Sequence, residues 1–221
     1  MPEIPDIEAY VEALSSRVTG RPLLGVRLGH PFLLRTVDPP LEAAAGRRVT
    51  RVSRMGKRIV LELGEAAGSS PPLFLVLHLM IAGRLHWRAP GASVPRGSGL
   101  AAFDFPEGTL VLTEAGKKRR ASLHVVRGRE ALAALDPGGI EVAGSTVEAV
   151  SAVLRRENHT LKRALTDPRI LSGIGNAYSD EILHRARLSP FKQTRALDEN
   201  EVARLHQAAA AVLAEWTESL R

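Results

Sequence analysis

The stretch "LTDPRILSGIGNAYSDEILHRARLSP", residues 165–190, decides how this chain is read. Its first half, "TDPRILSGIGN", predicts a turn between two helices. Gly173 and Gly175 permit close backbone approach and unusual dihedrals there. Asn176 then starts a helix, "AYSDEILHRARL". A Gly-rich turn that leads into a helix N-terminus presents free N–H groups, a ready site for an anion. Such a helix–turn–helix pair fits a DNA phosphate. Glycines in a helix–helix turn are also often purely structural, and the pattern alone leaves both readings open.

Working outward, the surrounding sequence is helical. Ser145 with Glu148 makes a capping-box pattern ahead of "VEAVSAVLRR". Asp198 with Glu201 makes another ahead of Val202, Leu205, Val212, Leu213, Trp216 and Leu220, apolar residues at helical spacing. Upstream, "LDPGGIEVAG" reads as a linker. Before it the period changes. "LLGVRLGHPFLL", "RRVTRVSR", "KRIVLELG", "LFLVLHLMIAGRLHW", "LAAFDF", "TLVLTEA" and "ASLHVV" are short apolar or alternating runs. Turn material such as "GEAAGSSPP", "APGASVPRGSG" and "PEG" separates them, which predicts an antiparallel sandwich or barrel. At the N-terminus, Ile7, Tyr10, Val11 and Leu14 predict an amphipathic helix entered through Pro5 and stopped by "VTGRP". The expected fold is α+β: an N-terminal helix and antiparallel β-sandwich over residues 1–135, a hinge over 136–144, and a helical domain over 145–221.

Composition bounds the chemistry. The 221 residues are 44% hydrophobic and 24% charged, ordinary values for a globular chain. None of them is cysteine, which excludes disulfides, Cys-ligated zinc and thiol catalysis within these residues. No apolar run reaches the length of a membrane span. The opening "MPEIPDIE" is acidic and carries two prolines, unlike a secretory signal. A net charge of +6 and a pI near 10.3 suit a polyanionic partner, and equally a generic basic enzyme.

"MPEIPDIE" at the tip together with "GIGNAYSDEIL" near residue 180 resembles the formamidopyrimidine-DNA glycosylase and endonuclease VIII family of helix–two-turn–helix proteins. The likeness spans almost the whole chain in the right order, with Asp6 where the family usually has glutamate. The resemblance implies a β-sandwich followed by a helical domain, with duplex DNA held in the cleft between. It implies an enzyme of base excision repair that removes oxidised bases and cuts the strand at the abasic site. It also implies a cytoplasmic, nucleoid-associated protein of bacterial type that acts as a monomer away from membranes.

Residue by residue, the resemblance makes Pro2 the nucleophile and Glu3 the proton carrier. Lys57 in "RMGKRIVLEL" would lie near the reacting sugar and contact a phosphate. His78 and Asn176 would contact phosphates, and the neighbouring Gly175 would be part of the DNA-binding surface. Ile81, with Met80 beside it in "LMIAG", would be the apolar wedge that fills the gap left by an everted base. Arg119 and Arg120 in "TEAGKKRRASLH" match a stretch that supplies an arginine and often an aromatic, and no aromatic is present in it. Each of these residues alone also has a plain structural reading: a helix-start acid, a strand-edge lysine, a core histidine, a helix cap, a basic hairpin. The family's covering loop and four-cysteine zinc finger would fall beyond residue 221, so no cofactor is expected in this chain. Oxidised purines and oxidised pyrimidines both stay open as substrates. A binding module of the same fold without turnover is the alternative. An RNA-binding protein is a third reading, against which the Pro2-Glu3 pair and the β half argue.

Overall fold

The computed structural model describes residues 1–64, 71–116 and 118–221. Most of the "GEAAGSSPP" turn and Lys117 of the basic stretch lie outside the described residues. The chain divides into two compact units. Met1–Pro2 and Tyr10–Leu135 form one, and Glu3–Ala9 with Asp136–Arg221 form the other. The division falls inside the first helix, α1 (Ile4–Val18).

The first unit is a β-sandwich of two antiparallel four-stranded sheets. One has the order β1 (Gly25–Leu28), β6 (Gly99–Phe105), β7 (Gly108–Glu114), β5 (Gly83–Arg88). The other has the order β2 (Arg48–Met55), β3 (Arg58–Gly64), β4 (Leu73–His78), β8 (Ser122–Arg127). The apolar run "LFLVLHLMIAGRLHW" therefore is not one element and not a hairpin. It breaks at residues 79–82, and its two halves, β4 and β5, belong to different sheets. The central strands read as unbroken apolar runs because both faces are covered. Ile59, Leu61 and Leu63 of β3 are fully buried on one face. On the other, Val60 joins Phe74, Val76 and Val126 beneath Met55, Ala131, Leu132 and Leu135. Ala131 and Leu132 sit on α2 (Gly128–Ala133), a short helix whose sequence shows no start signal beyond Gly128. The expected strand "LLGVRLGHPFLL" is strand only over Gly25–Leu28. Pro31 opens a 3-10 turn over Pro31–Leu33 instead, since its ring fixes φ and removes a ladder donor.

The second unit packs α3 (Val147–Arg156), α4 (Leu161–Thr166), α5 (Asn176–Ala186) and α6 (Glu199–Ser219). Leu154, Leu165, Ile174, Ile182, Leu205 and Ala209 are among its core residues, and Ile4 of α1 is buried in the same core. Asp198 and Glu201 form the reciprocal capping box expected ahead of α6. The expected box at Ser145 does not form. Thr146 is the N-cap of α3 and accepts from Ala149 N–H, while the Ser145 hydroxyl donates back to Glu141 O. Residues 136–144, expected as a hinge, are packed within this unit. Val142 is buried, and Ile140 bridges to Leu171. Among the described residues no helix is long and apolar enough to cross a membrane.

Candidate functional site

The N-terminal tip and the glycine turn, 172 residues apart in sequence, meet in the second unit. The Glu3 carboxylate accepts three backbone N–H bonds at the start of α5. Gly175 N–H donates to Oε2 at 2.7 Å, Ala177 N–H to Oε1 at 2.9 Å, and Tyr178 N–H to Oε2 at 3.2 Å. Gly175 itself is the N-cap of α5 and has no side chain with which to cap. Glu3 supplies from a distance what a serine or aspartate N-cap supplies locally, and places its negative charge at the positive end of the helix. It is only 2% exposed. A buried carboxylate needs hydrogen-bond donors, and these three charge-assisted bonds supply them.

The same contact explains both glycines. Gly175 has φ −129, which any residue adopts, so its lack of a side chain is a matter of space. A Cβ there would lie 2.5 Å from the Glu3 carboxyl carbon. Gly173 has φ +80, and a Cβ there would lie 2.2 Å from Ile4 Cγ1. Ile4 N–H in turn donates to Gly173 O at 3.2 Å. The main chain of Glu3 is also held, because its N–H donates to Asp6 Oδ2 at 2.9 Å. Asp6 thus performs the back-bonding half of a capping box on α1, while the Glu3 side chain serves α5. Three of the N–H groups expected to be free at this helix start are therefore taken. Gly175 is buried, and its N–H is directed to Glu3. Asn176, the first residue of α5, is exposed; its carbonyl accepts from Lys162 Nζ at 2.8 Å and from Ser179 Oγ at 3.0 Å. Pro2 is buried and Met1 is exposed. While Met1 is attached, the Pro2 nitrogen is an amide.

In the β unit, Lys57 is the second residue of the two-residue turn between β2 and β3, after Gly56 at φ +56. Glycine at the first position is what such a hairpin requires. His78 ends β4, directly between Arg58 on β3 and Ser122 on β8. Its pKa falls to about 4, first through burial and then through the positive charges of Arg58, Lys57 and His124. His124 is lowered as well, by burial, Arg58 and Arg35. The Nε2 of His78 is buried with no hydrogen-bond partner. A satisfied core histidine would not leave that atom orphaned, because buried polar groups in folded chains are nearly always paired. The end of this sheet thus gathers Lys57, Arg58, His78 and His124, a cluster suited to an anion. Arg58 and His124 escaped the sequence reading because only the strand register brings them beside His78.

The β4–β5 turn carries the expected wedge residues. Ile81 is 56% exposed. Met80 is half-buried in the left-handed region at φ +53, within a turn closed by Gly83 N–H to Leu79 O at 2.9 Å. Such a conformation costs a side-chain-bearing residue about 1–2 kcal/mol and is typically retained where a turn must present a particular residue. Arg119 is half-buried and anchored to Gly97 O. Arg120 is exposed, with its own N–H and that of Ala121 held by the buried Glu114 carboxylate at 2.9 and 3.0 Å. The described residues contain no group of three or more His, Cys, Asp or Glu that could hold a metal ion. With no cysteine in the chain, they do not make a four-cysteine zinc site.

Comparison with known proteins gives the relationship. Residues 1–131 match the formamidopyrimidine-DNA glycosylase N-terminal domain, and residues 137–219 match the H2TH domain of the same proteins. A formamidopyrimidine-DNA glycosylase of Mycobacterium bovis is 35% identical over 229 residues, covering 97% of this chain and 77% of its own length. That of Heliobacterium modesticaldum is 32% identical, covering 97% of this chain and 78% of its own length. Among solved structures, Lactococcus lactis formamidopyrimidine-DNA glycosylase bound non-covalently to DNA with an abasic site superposes with a TM-score of 0.87. That match has 21% identity and covers 99% of this chain and 82% of the other. The chain belongs to the formamidopyrimidine-DNA glycosylase family.

Proposed function

We propose that this protein is a DNA glycosylase of base repair that removes oxidised bases from duplex DNA and cleaves the strand at the resulting abasic site. The observation that carries the reading is the Glu3 clamp on α5, which ties the residue next to Pro2 to the helix–turn motif. A terminus that would otherwise fray is held in one conformation.

The chemistry follows from the tip. Once Met1 is removed, Pro2 presents a secondary α-amine. Its pKa near ~8, against ~10.4 for lysine, leaves much more of it neutral at physiological pH. The neutral nitrogen attacks C1′ of the deoxyribose, and the damaged base leaves. The resulting iminium is an electron sink. Loss of the C2′ proton eliminates the 3′ phosphate, and a second elimination releases the 5′ phosphate. Glu3 is the proton carrier: three N–H bonds occupy three of the roughly four acceptor positions of a carboxylate, and the remaining one is on Oε1. Lys57 and His78 from the β unit and Asn176 from α5 supply the phosphate contacts, with Ile81 and Met80 at the wedge and Arg119 and Arg120 beside the strand. DNA with oxidised bases or abasic sites is the partner.

Borohydride trapping tests this. A Met-free preparation mixed with an abasic-site duplex should form a covalent adduct whose crosslinked peptide begins at Pro2. No adduct, with tight binding retained, would instead make the chain a damage-binding module, the state expected wherever Met1 keeps the Pro2 nitrogen an amide.

A further inference from the structure

The β unit carries a second feature that shares only Arg119 with the residues assigned above. A groove of about 730 Å³ is lined by His30, Phe32, Arg35, Gly97, Gly116 and Arg119. Phe32 is 74% exposed. A single exposed phenylalanine is common on protein surfaces, but this one is built into place. It is the middle residue of the 3-10 turn Pro31–Leu33, whose Leu33 is 1% exposed and anchors the turn. Leu33 N–H donates to His30 O at 3.1 Å, and His30 N–H to Leu100 O at 3.2 Å. Beyond the turn, Arg35 N–H donates to Leu123 O at 2.9 Å. The rings of Phe32 and His30 lie 5.7 Å apart at 52°, so one edge of the Phe32 ring is covered while most of its surface remains open.

The lining has two guanidinium groups and no carboxylate. One N–H of Arg119 is bonded to Gly97 O, which orients a fork that has about five donors in all. An open aromatic face flanked by arginines is the arrangement that takes a base by stacking and its phosphates by charge.

We infer that this groove is a nucleotide subsite in which an unpaired base of a DNA strand stacks on Phe32 while the adjoining phosphates meet Arg35 and Arg119. The inference rests on the DNA reading above and adds a residue, Phe32, and a stacking place for an unpaired base, neither of which that reading assigns. Charge complementarity commits the occupant to a nucleic-acid strand: a peptide partner for the same groove would have to be acidic and would gain nothing specific from the aromatic face.

The test uses the full chain and two probes. One is a single-stranded oligodeoxynucleotide of about ten nucleotides, within the usual site size, with a central 2-aminopurine. The other is an abasic-site duplex. Wild-type protein should quench the 2-aminopurine fluorescence on binding. Phe32→Ala should abolish the quench and weaken single-strand binding by about 5- to 150-fold, the loss of one base–aromatic stack, while Phe32→Tyr restores both. Replacing both Arg35 and Arg119 with alanine should lower the slope of log affinity against log salt by about 0.7 for each lost phosphate contact. Equal quench and affinity in Phe32→Ala would overturn the inference. So would wild-type protein that binds the abasic duplex but not the single strand. Binding of neither probe would overturn the DNA reading itself, and the inference with it.

Discussion

Glu3 is asked to do two things, and they are separable by measurement. As the cap of α5 it satisfies three N–H groups, two of them, on Gly175 and Tyr178, buried. Glu3→Ala orphans the two buried ones at about 1–3 kcal/mol each, so thermal unfolding should show a loss of at least ~2 kcal/mol. Glu3→Gln keeps one carbonyl oxygen and turns an amide NH₂ toward a backbone donor, and its loss should be smaller. As proton carrier, its replacement by Gln should lower strand cleavage by about 10²–10⁴-fold at temperatures where the variant is folded. A folded variant with full cleavage would leave Glu3 as a cap alone. His78 makes a prediction in pH. Its pKa is about 4 in the folded chain against an ordinary value of 6.5, so between those values the unfolded chain holds a proton that the folded chain does not. Stability is therefore full above about pH 6.5 and falls as pH drops toward 4, by about 3 kcal/mol for this group. Urea titrations of His78→Gln should show a flatter fall over that window, with the remaining slope owed in part to His124. An unchanged profile would mean that His78 is not held neutral.

At the scale of elements, the glycine turn is the part of the site most open to simple substitution. Gly175→Ala should cost about 1–3 kcal/mol through overpacking against Glu3, although alanine tolerates the local backbone without strain. Gly173→Ala meets both Ile4 and a left-handed φ, so its loss should exceed that of Gly175→Ala; the reverse order in thermal unfolding would contradict the geometry. These positions also mark how far sequence reading reached. The alternating runs of the first half, the helical spacing of the second and the Asp198–Glu201 box were legible because they are local patterns. Three features were not. The β4–β5 run hid its change of sheet, because which strands pair is a non-local property. The turn at Phe32 was hidden because "GHPFLL" is as apolar as a strand. The filling of the α5 N-terminus by Glu3 was hidden because nothing in a helix start reveals a carboxylate brought from 172 residues away.

For the whole molecule, the net charge of +6 makes DNA affinity a function of salt. Lys57→Ala and Asn176→Ala, at positions drawn from the two units, should weaken binding to all duplexes alike. Lys57→Ala should also lower the slope of log affinity against log salt by about 0.9, whereas the uncharged Asn176 should alter affinity with less change in slope. Filter binding across a salt series separates the two, and an unchanged slope for Lys57→Ala would remove it from the phosphate ligands.

The pairing of Glu3 with Gly175–Tyr178 has a consequence in time. At roughly 5–20 residues per second of synthesis, the partners of Glu3 are made about 10–35 seconds after Glu3 itself. Throughout that interval the α5 cap cannot exist, and the first residues of the nascent chain have no helical unit to join. Pro2 is buried in the finished fold while Met1 stays exposed, so the bond between them is most open to a processing aminopeptidase in that interval and on locally unfolded molecules. Release of the Pro2 amine, the proposed nucleophile, would then depend on the pace of translation: slowing the ribosome between the codons for Glu3 and Gly175 should raise the fraction of chains that begin with proline.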